Sequence, residues 1–64
     1  MNTDEILRRR ALQAKVGLPI STIYRLVAEG KFPKPVKLAA RASGWLRSEV
    51  DQWIADRAAE RTAR

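Results

Sequence analysis

The sequence predicts a small, mainly α-helical fold built on a helix-turn-helix and carrying one short β-hairpin. Three observations predict it. Apolar residues recur at helical spacing on both sides of a Gly-Leu-Pro bend at residues 17–19, two short runs of strand-forming residues follow a Pro-rich loop, and a third apolar-periodic segment comes after them. Sixty-four residues provide for one domain, and a chain of this length buries only about 60% of the surface it would expose unfolded. No linker, internal repeat or low-complexity tract divides it.

The first helix is expected over residues 9–16, where Leu12 and Val16 stand at i and i+4 beside Ala11, and Gly17 supplies a left-handed cap. Two readings stand upstream of it. Thr3, followed by Asp4 and Glu5, caps a longer helix, or Ile6 and Leu7 are extended and pack under the domain; the shorter helix is preferred. The second helix starts after Pro19, whose fixed φ suits a first helical turn, and runs to Glu29 with Gly30 closing it. Ile20, Ile23, Leu26 and Val27 form its buried stripe, so Ser21, Thr22, Tyr24, Arg25 and Ala28 point away from that stripe or flank it.

Lys31-Phe32-Pro33-Lys34-Pro35 cannot be helical, because each Pro lacks a backbone donor and restricts the residue before it. Phe32 is the expected anchor of this loop. The runs Val36-Lys37-Leu38 and Gly44-Trp45-Leu46, separated by "AARAS", suggest a hairpin over residues 36–46, although its turn has no Asn-Gly or Asp-Gly. A last helix is expected over residues 48–60: Ser48 and Asp51 read as a capping box, Glu49 and Asp51 suit the positive end of the helix dipole, and Val50, Trp53 and Ile54 form an apolar stripe. Past Arg57 only Ala is available for burial, so that end should fray or project into solvent.

Charge is unevenly distributed. Thirteen Lys and Arg against seven Asp and Glu give +6. Residues 8–47 hold ten basic side chains and the single acid Glu29, a net of +9, while the segments before and after them are net −2 and −1. A polyanion is the partner that such a segment fits. Catalysis lacks its parts: there is no His and no Cys, hence no usual general base, thiol nucleophile, disulfide or thiolate zinc site, and there is no Gly-rich phosphate loop. Asp56 and Glu60 share a helix face but read as solvated charges among Arg57, Arg61 and Arg64. Neither enzyme activity nor a metal or cofactor is expected. With no membrane-length apolar run and no signal-peptide segment in "MNTDEILRRR", the expectation is a soluble, cytoplasmic, nucleoid-associated protein that does not engage membranes.

The second helix has the composition of a DNA-reading element, in which short polar and basic side chains reach base edges while the opposite side is held by packing. Ser21 and Thr22 either bond phosphates and bases near the first-turn N–H groups or cap the helix. Arg25 either makes a bidentate contact with guanine or pairs with Glu29 four residues on. Tyr24 reaches a phosphate or lies half-buried over the loop, and Lys31 and Lys34 cluster where phosphate contact is favoured over ordinary loop charge.

The run "GLPISTIYRLVAEGKFPKPVKLAARASGWLRSEVDQWI", residues 17–54, resembles the AlpA-type prophage regulatory proteins, small excisionase-like members of the wider MerR-like winged helix-turn-helix group. The matching parts are "STIYRL", "EGKFPKPVKL" and "GWLRSEVDQW", in that order and spacing. The resemblance implies a recognition helix in the major groove and a wing from the hairpin, with Arg41 at its tip as the wing contact and Lys37 facing phosphate. Two positions depart from the family pattern. Ala39 replaces a usual Gly, so a tip needing positive φ would be strained, and Arg47 replaces a polar or acidic residue, adding a phosphate contact. The function implied is a double-stranded DNA-binding regulator of phage or prophage origin, controlling integrase or excision genes or acting as an excisionase. Integrase or RNA polymerase would be its neighbours on DNA, and a homo-oligomer would add specificity. A protein-interaction adaptor or antirepressor with a basic face is the alternative; nonspecific RNA binding is poorly supported by a single exposed aromatic candidate.

Overall fold

The computed structural model describes residues 5–62, in the order β1 (Ile6–Leu7), α1 (Arg9–Val16), α2 (Ile20–Ala28), β2 (Val36–Ala39), β3 (Ala42–Leu46) and α3 (Arg47–Thr62). A Gly closes each of the first two helices in the left-handed conformation that its missing Cβ permits. Gly17 has φ 76° and donates its N–H to Gln13 O at 2.8 Å, ending α1 in a single-bond αL cap. Gly30 has φ 74°; its N–H donates to Val27 O at 3.0 Å and the N–H of Lys31 to Leu26 O at 2.8 Å, the paired bonds of a Schellman cap. Between α1 and α2 only Gly17, Leu18 and Pro19 intervene, which makes the bend of a helix-turn-helix.

Ile6 and Leu7 are extended, as the second upstream reading had it; Thr3 and Asp4 lie outside the described residues. β1 pairs antiparallel with β3 through Ile6 and Leu46 and through Leu7 and Trp45, and β2 pairs on the other side of β3, giving the sheet order β1-β3-β2. The sequence suggests the two-stranded hairpin and an extended Ile6–Leu7, but not that the two pair. Gly44 makes the pairing possible. A Cβ there would collide with Ile6 Cγ2 and stand 3.0 Å from the carbonyl oxygen of Leu7.

The hairpin turn is tighter than "AARAS" implied. β3 begins at Ala42, Ala39 stands opposite it, and only Ala40 and Arg41 form the turn. A register shift between Lys37 and Ala39 takes up the irregularity, and no described residue other than Gly has positive φ. The strain expected at Ala39 is therefore absent, because a bulge in the strand replaces a left-handed residue at the tip. α3 starts at Arg47, so Ser48 lies inside its first turn rather than before it, and the helix continues past Arg57 to Thr62 with its outer turns exposed.

Leu12, Ile23, Phe32, Trp45 and Val50 form the core, one residue from each of α1, α2, the Pro-rich loop, β3 and α3. Leu7, Val16, Leu18, Ile20, Leu26, Val27, Trp53 and Ile54 pack around them. Lys15 ties α1 to α3 through Asp51 at 2.8 Å. Mainly helical with a small antiparallel sheet, the molecule has the architecture of a winged helix-turn-helix, in which β2 and β3 are the wing.

Gly44→Ala is expected to lower stability by about 1–3 kcal/mol, the usual effect of forcing extra volume into a packed site. The melting temperature should fall by roughly 4–8 °C for each kcal/mol lost. Thermal unfolding followed by circular dichroism measures it, and an unchanged midpoint would refute the close approach of β1.

Candidate nucleic-acid interface

The candidate face is built from α2. Ile23 is fully buried, and Ile20, Leu26 and Val27 are half-buried against the core. Ser21, Tyr24, Arg25 and Ala28 are all exposed, and they too recur at i, i+3, i+4 and i+7. The helix is thus divided lengthwise into a packed side and an open side. Thr22 is half-buried at the boundary and does not share the open side fully. The residue preceding the helix, Pro19, offers no side-chain cap; its carbonyl accepts from the N–H groups of Thr22 and Ile23, both at 3.1 Å.

Arg25 makes no ion pair with any described residue. The pairing with Glu29 that its spacing allowed is not formed, and the Glu29 carboxylate instead stands 3.7 Å from Lys31 Nζ. Both groups of that contact are exposed, so its worth is small. Tyr24 is 42% exposed, with its ring centroid 6.0 Å from that of the buried Trp45 and the planes inclined by 50°. Its ring is therefore steadied from beneath while part of it faces solvent.

Lys34, Lys37 and Arg41 are exposed and unpaired among the described residues, Lys34 in the Pro-rich loop, Lys37 on β2 and Arg41 in the hairpin turn. Arg47 is differently placed. Its guanidinium reaches Glu5 at 2.7 Å and Asp51 at 3.7 Å, and its backbone N–H donates to Glu5 O at 2.8 Å, so it fastens the start of α3 to the segment leading into β1. Arg8, Arg9 and Arg10 too are exposed and without ion pairs among the described residues. The consecutive run was itself the available signal.

The loop bearing Lys31 and Lys34 is held by two indoles. Trp45 Nε1 donates to Pro33 O at 2.9 Å and Trp53 Nε1 to Lys31 O at 2.7 Å. The Phe32 ring meets Trp53 edge-on at 4.8 Å, and the Arg57 guanidinium lies 5.0 Å from the Trp53 ring centroid. Phe32 is the expected anchor; the indole bonds carried no sequence signal. Among the described residues no group of acidic side chains is arranged to hold a metal ion, and no helix is long and apolar enough to cross a membrane.

Residues 5–58 match the family model described as prophage CP4-57 regulatory protein (AlpA). Protein ORF88 of Enterobacteria phage P4 is 41% identical over 58 residues, covering 91% of this chain and 66%, just under two thirds, of that protein. The DNA-binding transcriptional activator AlpA of Escherichia coli (strain K12) is 33% identical over 58 residues, covering 81% of this chain and 83% of that protein. The matched region contains every candidate contact residue named above.

Trp45→Phe should leave the Pro33 carbonyl without its donor in a partly buried setting and destabilise by about 1–3 kcal/mol. Trp53→Phe, at a more exposed bond, should cost about 0.5–1.5 kcal/mol. Urea unfolding of both variants checks this, and the reverse order of effects would contradict the assigned hierarchy.

Proposed function

We propose that this chain, which belongs to the AlpA family of prophage regulatory proteins, is a sequence-specific double-stranded DNA-binding regulator of phage or prophage origin. The observation that carries the reading is the lengthwise division of α2, with Arg25 exposed and without an internal partner on the side opposite the buried stripe. A guanidinium so placed suits bidentate recognition of guanine in a major groove. Residues 1–64 act as a single DNA-binding domain: a helix-turn-helix at about 9–30, a wing at about 36–46 and a C-terminal helix at about 48–60. No enzymatic step is assigned to it.

In this reading Ser21 and Thr22 approach the backbone or base edges at the helix entrance, and Tyr24 offers its hydroxyl to a phosphate. Lys31, Lys34, Lys37 and Arg41 line the path of the backbone from the end of the recognition helix to the wing. Arg47 would have to exchange Glu5 or Asp51 for a phosphate, so we give it a structural role first. The E. coli relative, a DNA-binding transcriptional activator, favours control of transcription, and integrase or excision genes are the proposed targets. Action as an excisionase beside an integrase uses the same contacts. Selection of bound fragments from the host genome separates the two, since promoter fragments identify a regulator working with RNA polymerase and attachment-site fragments an excisionase.

If five to seven phosphates are neutralised, log affinity should fall with log salt at a slope of about −4 to −6 per protomer. A flat response would overturn the reading. Arg25→Ala should lose about 1–3 kcal/mol of discrimination at one base pair, whereas Lys34→Ala should weaken all duplexes alike. Competition binding with specific and random duplexes tests the assignment, which fails if both variants lose equally on both.

A further inference from the structure

The two faces of the β2–β3 hairpin are chemically unlike. Lys37 stands across from Ser43, and Lys37, Arg41 and Ser43 line a shallow cationic concavity together with Pro35 and the three alanines around the turn. Val36 stands across from Gly44, so strand alternation sends it to the other side. Leu38 lies at the register shift and takes no part in lining the concavity. It is 45% exposed, more than Ile6, Tyr24 or Val36, the other large apolar side chains that face solvent among the described residues. The two residues that follow it in the chain, Ala39 and Ala40, carry only methyl side chains.

Charge selects what covers this side chain. Between Gly30 and Arg47 the chain carries Lys31, Lys34, Lys37 and Arg41 and no acid. An exposed Leu close to the cationic tip of a narrow hairpin fits a ligand with an anionic exterior and an apolar interior, which describes stacked base pairs flanked by phosphates. We propose that Leu38 is a wedge that enters a base step beside the site read by α2, unstacks it and bends the duplex. This inference rests on the DNA-binding reading above. Apolar wedges of this kind kink DNA by about 20–90°, and pyrimidine–purine steps open most easily. The concavity supplies the grip beside it, since Lys37 and Arg41 hold the backbone while Leu38, outside the concavity's lining, enters the step. The strand irregularity at this position re-aims the side chain, a use to which bulges are commonly put.

The test uses the whole chain and a duplex that it selects from a random-sequence pool, with 2-aminopurine placed in turn at each step of the site and its flanks. The wild-type protein is expected to raise the fluorescence several-fold at one step beside the Arg25-dependent position. It should also shorten the end-to-end distance read by energy transfer. Leu38→Ser should abolish both signals while leaving the thermal midpoint, the salt slope and the Arg25-dependent base preference unchanged; Leu38→Met should retain them, and decides the question should Ser weaken the hairpin. Binding by the wild type with no rise at any step, or an undiminished rise in Leu38→Ser, overturns the wedge and leaves the DNA-binding reading standing. If the wild type selects no duplex and instead binds phosphatidylglycerol vesicles, both fall together.

Discussion

The arrangement depends on how the loop after α2 finds hydrogen-bond donors. Pro33 and Pro35 deny this segment both helical and strand pairing, so its carbonyls need partners from elsewhere. The indole N–H groups of Trp45 and Trp53 supply two of them, and they come from the wing and from α3 respectively. A single loop thereby joins the end of α2, the wing and the last helix. Phe32 fills the space between, buried and edge-on to Trp53. Remove these bonds and α2 would be held to the hairpin only by the packing of Ile23 and Tyr24 around Trp45.

Apart from Lys31, which meets Glu29, and Arg61 at the end of α3, the described cations fall into two groups by what they meet. Lys15, Arg47 and Arg57 are engaged by Asp51, Glu5 and Glu60, and most of those acids belong to α3. The pairs of Lys15 with Asp51 and Arg47 with Glu5 fasten elements to one another, whereas Arg57 and Glu60 pair within α3. Arg8, Arg9, Arg10, Arg25, Lys34, Lys37 and Arg41 have no such partner among the described residues and lie outside α3. Mutual repulsion among unpaired cations opposes compactness, so their persistence on a small domain is consistent with a ligand that neutralises them. That is the electrostatic basis of the proposed interface.

Much of the fold was legible in the sequence because its signals are local. Gly17, Gly30 and the prolines punctuate the chain for steric reasons that hold regardless of tertiary context, and the stripe of α2 follows from helical periodicity alone. The errors fall where long-range pairing decides. Nothing local announces that Ile6 and Leu7 join a sheet with residues about forty positions away, or that Gly44 is required by Ile6 rather than by its own turn. The tip of the hairpin was misjudged for the same reason, since register is settled between strands. At the candidate interface, exposure of Ser21, Tyr24 and Arg25 could be read from the spacing, whereas the engagement of Arg47 by Glu5 could not, because that acid lies 42 residues earlier in the chain.

The concentration of acids on α3 has a consequence before any contact is made. Glu49, Asp51, Asp56 and Glu60 stand on α3 against Arg47, Arg57 and Arg61, a net of −1, while the surplus of positive charge lies on the other helices and on the hairpin, which gives the molecule a permanent electric moment. In the field of a polyanion such a particle feels a torque as well as an attraction, so it tends to arrive with α3 trailing. Orientation by this torque would shorten the rotational search that follows collision, and added electrolyte would suppress it within a Debye length of about 8 Å at physiological ionic strength.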